Sequence, residues 1–139
     1  MIAHAWTTLC DRVVIDRDSD NLSLDTIEAL YVNKLDDGRP AIVPCRLEVV
    51  SLWYRHDPGQ GALHKANICL LSPSLEVMAN RTIDVDLRAV QRLRTRSVID
   101  GLTVQRPGTY FVVVDMLDAN PAREVARIPL QVELLPPLL

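Results

Sequence analysis

The chain has 139 residues, of which 48% are hydrophobic and 24% are charged, and its formal net charge is −3. This length predicts a single domain, residues 1–139, with a core large enough to fold without disulfides or a structural metal. The net charge argues against a dedicated nucleic-acid binder, because such domains are usually strongly basic.

The cysteines and the N-terminal residues indicate in which cellular compartment the protein is expected. The three cysteines, Cys10, Cys45 and Cys69, lie far apart in apolar runs and form no C-x-x-C pair, so neither a zinc ribbon nor a redox pair is indicated. Free thiols fit a reducing environment. Residues 1–6 lack the basic and apolar regions of a signal peptide, and no apolar run approaches the roughly 20 residues that span a bilayer. We therefore expect a cytoplasmic protein with no membrane association.

The first quarter of the chain predicts paired strands. Residues 2–9 form a first strand that continues at 13–15, and the polar stretch 16–21 is a turn whose side chains bond their own backbone. The apolar pattern of residues 22–32 favours a strand paired back on the first one. A short helix over 24–30 is the alternative, because its Asp, Glu and Ala residues are weak strand formers.

The middle of the chain continues the alternation of strands and turns. The stretch 36–40 is a turn rich in Asp, Gly and Pro. In the strand 45–54 the apolar residues crowd onto both faces toward Trp53, so both faces are expected to be covered. After the loop 56–61, residues 62–71 alternate as a further strand.

The stretch from residue 75 to residue 96 admits two interpretations. Residues 82–86 have the composition of a strand. Residues 85–93 also fit one short helix, because their apolar positions have nearly helical spacing. Those positions are Val85, Ala89, Val90 and Leu93.

The C-terminal part of the chain predicts three closely spaced strands within residues 98–135. Tyr110 follows a Pro-Gly turn and begins an apolar strand, as in the tyrosine corner of Greek-key sandwiches, where the hydroxyl bonds the backbone across the turn. Trp53 is a candidate for the centre of the core. The pattern predicts an all-β fold, an antiparallel immunoglobulin-like β-sandwich of about seven to nine strands. The immunoglobulin disulfide is absent, since Val112 occupies the position two after Tyr110.

Both ends of the chain resemble a family of small uncharacterised bacterial proteins. The matching segments are Cys10–Arg17 followed by Asn21–Leu24, and near the end Gly101-Leu102, Pro107-Gly108 and Tyr110. The resemblance implies a β-sandwich. It supplies no activity and no functional residues to carry over.

Asp16, Asp18 and Asp20 have the D-x-D-x-D spacing that presents carboxylates to a hard cation such as calcium. The positions where a calcium-binding EF-hand loop has Gly and Glu hold Asn21 and Ile27, so the bidentate ligand is missing. The alternative is an exposed acidic hairpin turn.

The histidines form no metal-binding or catalytic motif in the sequence. His56 and His64 flank a predicted hairpin loop, and His4 is the third histidine. A metal or acid–base role would require the fold to gather them; otherwise they are surface residues. No nucleophile motif or phosphate-binding loop is present, and no cofactor is predicted.

Arg92, Arg94 and Arg96 would share one face of a strand and form a basic stripe. The stripe is either a charged edge that prevents strand addition or a surface for an anionic partner. The apolar tail that ends in Leu138 and Leu139 either packs back on the domain or docks on another chain.

The sequence therefore favours a non-enzymatic interaction or structural module, with a protein partner or self-association as a homo-oligomer. We expect the arginine stripe and the two terminal leucines to bind the partner. A small-ligand or calcium-binding module that uses the turn at 16–20 is the second hypothesis. A histidine-dependent metalloenzyme is the third.

Overall fold

The computed structural model describes residues 2–35, 37–43 and 46–138, and it contains eleven strands and no helix in those ranges. The all-β prediction is therefore confirmed. The strands are β1 Ile2–Ile15, β2 Leu22–Thr26, β3 Ala29–Asn33, β4 Ala41–Ile42, β5 Leu47–Arg55, β6 Leu63–Leu71, β7 Val77–Asp86, β8 Arg92–Ile99, β9 Thr103–Val104, β10 Gly108–Met116 and β11 Arg123–Leu135.

The strands form two main sheets over one shared core. The front sheet has the order β2-β1-β5-β8 and the back sheet the order β3-β11-β10-β6-β7, while β4 and β9 form a small third sheet. One cluster of buried residues draws on both main sheets, with Trp53 of the front sheet fully buried and Val112 and Leu130 contributed by the back sheet. The central position predicted for Trp53 is confirmed, and its indole donates to Thr95 Oγ1 at 2.9 Å.

The count of eleven strands exceeds the predicted seven to nine for two reasons. Two of the extra elements are the two-residue strands β4 and β9. The segment 22–32 also divides: β2 pairs with β1, whereas β3 crosses to the back sheet and runs parallel to β11. The prediction of one strand paired back on the first was wrong for β3, and this parallel pair departs from a purely antiparallel fold.

Neither of the two helices considered as alternatives to strands forms. Residues 24–30 belong to strands β2 and β3 and the bend between them, and residues 85–93 span the end of β7, a turn and the start of β8. Asp86 accepts a hydrogen bond from the backbone N–H of Arg88 at 3.1 Å, which closes that turn. Val85 and Leu93 both reach the core, but from strands of different sheets. Their helix-like spacing is therefore a coincidence of strand and turn lengths.

The tyrosine corner is present as predicted. The Tyr110 hydroxyl donates to the backbone carbonyl of Arg106 at 2.8 Å, and the side chain is buried. Gly108 begins β10 with φ of +138°, and a Cβ there would lie 3.0 Å from the ring of Pro73. The corner fixes the entry of β10, the middle strand of the back sheet.

Candidate groove on the front sheet

Strand β5 is buried on both faces, although only one face points to the core. Leu47, Val49 and Trp53 join the core cluster. The alternate residues point the other way, and among them Glu48 is 4% exposed and Val50 is 0% exposed. Because successive side chains of a strand lie on opposite faces, a second layer must cover the outer face of the front sheet.

The covering layer is the hairpin formed by the end of β1 and by β2. The residues of β1 up to Cys10 pair with β5, and after an irregularity between Cys10 and Arg12 the rest of the strand pairs only with β2. We call residues 12–25 the hairpin arm. The Asp20 carboxylate at its tip lies 2.8 Å from the guanidinium of Arg94 on β8. β8 is two strands away from β1, about 10 Å across the sheet, so the arm must fold over the outer face.

The turn at the tip of the arm is held by its own hydrogen bonds. Asp16 Oδ1 accepts from the backbone N–H groups of Asp18 at 2.8 Å and Ser19 at 3.3 Å. These bonds lower the pKa of the Asp16 carboxyl, since both favour its charged form. Asp20 has a φ of +60°, a left-handed conformation that Asp tolerates better than most residues. The turn therefore presents Asp20 in a fixed direction, toward Arg94.

A groove of about 1080 Å³ lies between the arm and the sheet. Its floor is apolar and aromatic, its side wall is the set of three arginines predicted to share a face, and its roof is the tip of the arm. The floor consists of Trp6, Val50, Leu52 and Tyr54; the wall of Arg92, Arg94 and Arg96; the roof of Ile15, Asp20, Asn21 and Leu22.

The register between β5 and β8 explains this division. Val50 lies opposite Arg96, Leu52 opposite Arg94 and Tyr54 opposite Arg92. Directly opposed residues point to the same side of a sheet, so each floor residue has one arginine beside it. The prediction that the three arginines share a strand face is confirmed. We call them the arginine row.

The three arginines are neutralised to different degrees. Arg96 makes two hydrogen bonds to the Glu48 carboxylate, at 2.9 and 3.1 Å, and these bonds raise the Arg96 pKa. Arg94 pairs with Asp20, whose side chain is 76% exposed. Arg92 forms no ion pair with any described residue. Three guanidinium groups thus face two carboxylates, which leaves an excess positive charge at the Arg92 end of the groove.

The Arg92 end of the groove is fixed by a buried arginine. Arg55 is 8% exposed, and its guanidinium donates to the carbonyls of Val90 at 3.1 Å and Asp57 at 2.7 Å. Its backbone N–H donates to the carbonyl of Gln91 at 3.1 Å. These bonds hold the turn before β8 against the end of β5, so the arginine row starts from a defined position.

A second, smaller slot of about 270 Å³ opens on the other side of β8, between β7 and β8. Ile68 and Leu70 of β6 line it together with Ser97 and Ile99 of β8. The Ser97 hydroxyl is buried and has no hydrogen-bond partner among the described residues.

The three aspartates considered as candidate calcium ligands, Asp16, Asp18 and Asp20, are not gathered around one point. The Asp16 carboxylate caps the turn, and Asp20 pairs with Arg94. Within the described ranges, no group of three or more His, Cys, Asp or Glu side chains could hold a metal ion. Through Asp20, the acidic turn instead contacts the arginine row. In the sequence these two features are far apart and were predicted separately.

Two of the histidines pack against aromatic rings. His4 Nε2 lies 2.6 Å from Thr7 Oγ1 and its ring packs edge-on against Trp53, with ring centroids 5.1 Å apart. His56 packs against Tyr54, 4.9 Å between centroids, and His64 lies on β6 opposite Val85. His4 and His56 thus have different neighbours, and His64 lies on a strand of the other sheet.

The described cysteines are buried thiols. Cys10 donates weakly to the carbonyl of Glu48, and burial together with the Glu48 charge raises its pKa to about 11. Burial also raises the pKa of Cys69. Neither thiol is set up as a nucleophile, because the reactive form is the thiolate. Cys45 lies outside the described residues.

The tail packs back on the domain as far as Pro136. Leu134 packs against the core cluster, and the Asn33 amide donates to the carbonyl of Pro136 at 2.9 Å. Leu138 is 77% exposed, and Leu139 lies outside the described residues. Docking of a partner on these two leucines stays a prediction.

The floor of the groove was the part missed by sequence reasoning. The double-sided burial of β5 was visible in its apolar residues near Trp53, but nothing in the sequence showed that the acidic turn would provide the cover.

A scan against protein-family models and a search of the curated proteins found no match for this chain. In the described ranges, no helix is long and apolar enough to cross a membrane.

Proposed function

We propose that this protein is a non-enzymatic interaction module that binds an acidic polypeptide in the groove on its front sheet. One observation carries the proposal: an apolar floor and a row of three arginines line the same open groove. An apolar floor gains free energy when water leaves it, and a guanidinium binds a carboxylate through two parallel hydrogen bonds. The groove therefore suits a ligand with both acidic and apolar side chains.

The ion pair at the roof of the groove can be replaced by an ion pair with such a ligand. The pair between Arg94 and Asp20 joins a partly exposed guanidinium to a well-exposed carboxylate, and exposed pairs contribute only about 0–1 kcal/mol. A carboxylate of the partner can therefore replace Asp20 at little cost. Arg92 needs no exchange, since it has no ion pair with the described residues.

Binding can be followed through Trp6. The chain has two tryptophans, and Trp53 is fully buried whereas Trp6 lines the groove. A short oligoglutamate peptide should change the fluorescence of Trp6, and an oligolysine peptide of equal length should not. Trp6→Phe should abolish the signal, which identifies its source, while calorimetry still detects binding.

The arginine row can be tested with charge-neutralising variants. Arg92→Gln and Arg94→Gln should each weaken oligoglutamate binding by about tenfold, the loss of one charge-assisted contact. Arg39→Gln, at an exposed arginine outside the groove, is the matched control and should bind normally. Equal binding by all three variants, or binding of a DNA oligonucleotide in preference to the acidic peptide, would overturn the proposal.

A further inference from the structure

Strand β8 is an edge strand because of the way the chain enters it. The preceding strand, β7, pairs with β6 in the back sheet, so within the described ranges β8 has β5 as its single partner strand. No backbone hydrogen bond outside the strand ladders involves residues 92–99 among the described residues. One edge of β8 thus offers backbone N–H and C=O groups to another strand.

The two faces of this edge differ in chemistry. Arg92, Arg94 and Arg96 project on the outer face, two residues apart, which corresponds to about 6.6 Å along a strand. Ser97 and Ile99 point the other way and line the slot between β7 and β8. A strand beside β8 would meet guanidinium groups on one face and the slot on the other.

We propose that the partner binds by strand addition at the edge of β8, with acidic residues at alternate positions opposite the arginine row. The residues between them, small aliphatic or hydroxyl-bearing, enter the slot between β7 and β8. This inference rests on the proposed function and extends it beyond the floor of the groove, because the added strand reaches the arginine row from the free edge of β8, at the rim of the groove. The alternation follows from the pleat, because successive side chains of the added strand point to opposite faces.

The slot supplies an observation independent of charge. Ser97 is 3% exposed and its hydroxyl has no hydrogen-bond partner among the described residues. Buried polar groups in folded proteins are nearly always hydrogen-bonded. A Ser or Thr of the added strand would give this hydroxyl a partner, while aliphatic neighbours would contact Ile68 and Ile99.

The arginine row also selects against a second copy of this chain at the same edge. Antiparallel pairing of β8 with β8 of another copy would place arginines opposite arginines, and like charges directly opposite each other are destabilising. The sequence suggested this charged edge as a protection against aggregation, and the arginine row thus disfavours pairing with β8 of another copy. The same charge attracts an acidic strand.

The test compares the binding of three peptides by calorimetry. The first alternates glutamate with valine and threonine over seven residues. The second has the same composition with its glutamates in one block. The third is the alternating peptide with N-methylated backbone amides, which cannot donate to a strand ladder. Strand addition predicts that the first binds about tenfold or more tightly than the others, since it alone makes both the cross-strand pairs and the backbone bonds.

Hydrogen exchange locates the site. The alternating peptide should slow exchange of amides in residues 92–99, and exchange in the buried strand β10 serves as the reference. Equal binding of all three peptides, still weakened by Arg92→Gln, would overturn strand addition and leave the proposed function standing. No binding by any of them would overturn both. A rise in molecular mass by self-association through β8, without peptide, would overturn the inference by identifying a second copy as the occupant.

Discussion

Replacing Tyr110 with phenylalanine tests the structural role of the tyrosine corner. Tyr110 is 2% exposed and its hydroxyl donates to the Arg106 carbonyl at 2.8 Å. Phenylalanine keeps the ring packed and removes only the hydroxyl. Burial raises the pKa of Tyr110, so at neutral pH the hydroxyl is the proton donor in the wild-type protein.

The size of the effect follows from what remains after the substitution. A typical hydrogen bond contributes about 0.5–1.5 kcal/mol, and an acceptor left without a partner adds to the loss when water cannot reach it. Arg106 is an exposed residue, so water can replace the lost donor in part. We expect the free energy of unfolding to fall by about 1–2 kcal/mol, or the Tm by roughly 4 °C for each kcal/mol in a domain of this size.

Urea denaturation followed by circular dichroism measures the change, and Tyr31→Phe is the matched control. Tyr31 is 61% exposed and its hydroxyl makes no hydrogen bond with the described residues, so its variant should stay within about 0.5 kcal/mol of wild type. Tyr110→Phe should leave peptide binding unchanged. If it were as stable as Tyr31→Phe, or lost binding at normal stability, the role assigned to the corner would be wrong.

Three further predictions concern the charged and titratable groups of the front and back sheets. Arg96→Met should lower the free energy of unfolding by about 1–3 kcal/mol, because the buried Glu48 carboxylate loses a partner whose side chain is itself 45% exposed. Glu48→Gln should cost less in the same urea titration, and the reverse order would contradict the buried-charge argument. Burial lowers the pKa of His4 below its ordinary value of 6.5, so protonation favours the unfolded chain. The free energy of unfolding should therefore be highest above pH 6.5 and decline as the pH falls below it. His4→Gln should remove this part of the pH dependence. At pH 8, iodoacetamide should alkylate Cys10 and Cys69 far more slowly in the native protein than in urea, as site-resolved mass spectrometry can show; equal rates would mean that burial does not protect them.

Local patterns were sufficient to predict the elements that depend on neighbours in sequence. The acidic turn at 16–21 follows from side chains that bond their own backbone. The shared face of Arg92, Arg94 and Arg96 follows from the two-residue period of a strand. The corner at Tyr110 follows from the Pro-Gly turn before an apolar strand. In each case the interacting groups lie within a few residues of one another.

Prediction failed where the partner lies far away in the chain. Residues 29–33 have the composition of a strand, but only the tertiary structure places them parallel to β11, about a hundred residues later. The apparent helix over 85–93 arose because two core contacts made by different strands have a separation close to helical spacing. Periodicity alone cannot separate these cases, since it records burial and not the element that provides it.

The sequence by itself determined an all-β chain, several of its turns and the alternation that places three arginines on one strand face, because all of these depend on the local geometry of the backbone. Only the tertiary structure decided that the hairpin arm folds over β5, that Asp20 meets Arg94, and that β8 is left as an edge. Those features depend on contacts between residues up to 74 positions apart, such as the pair Asp20–Arg94. The groove therefore exists only in the folded molecule.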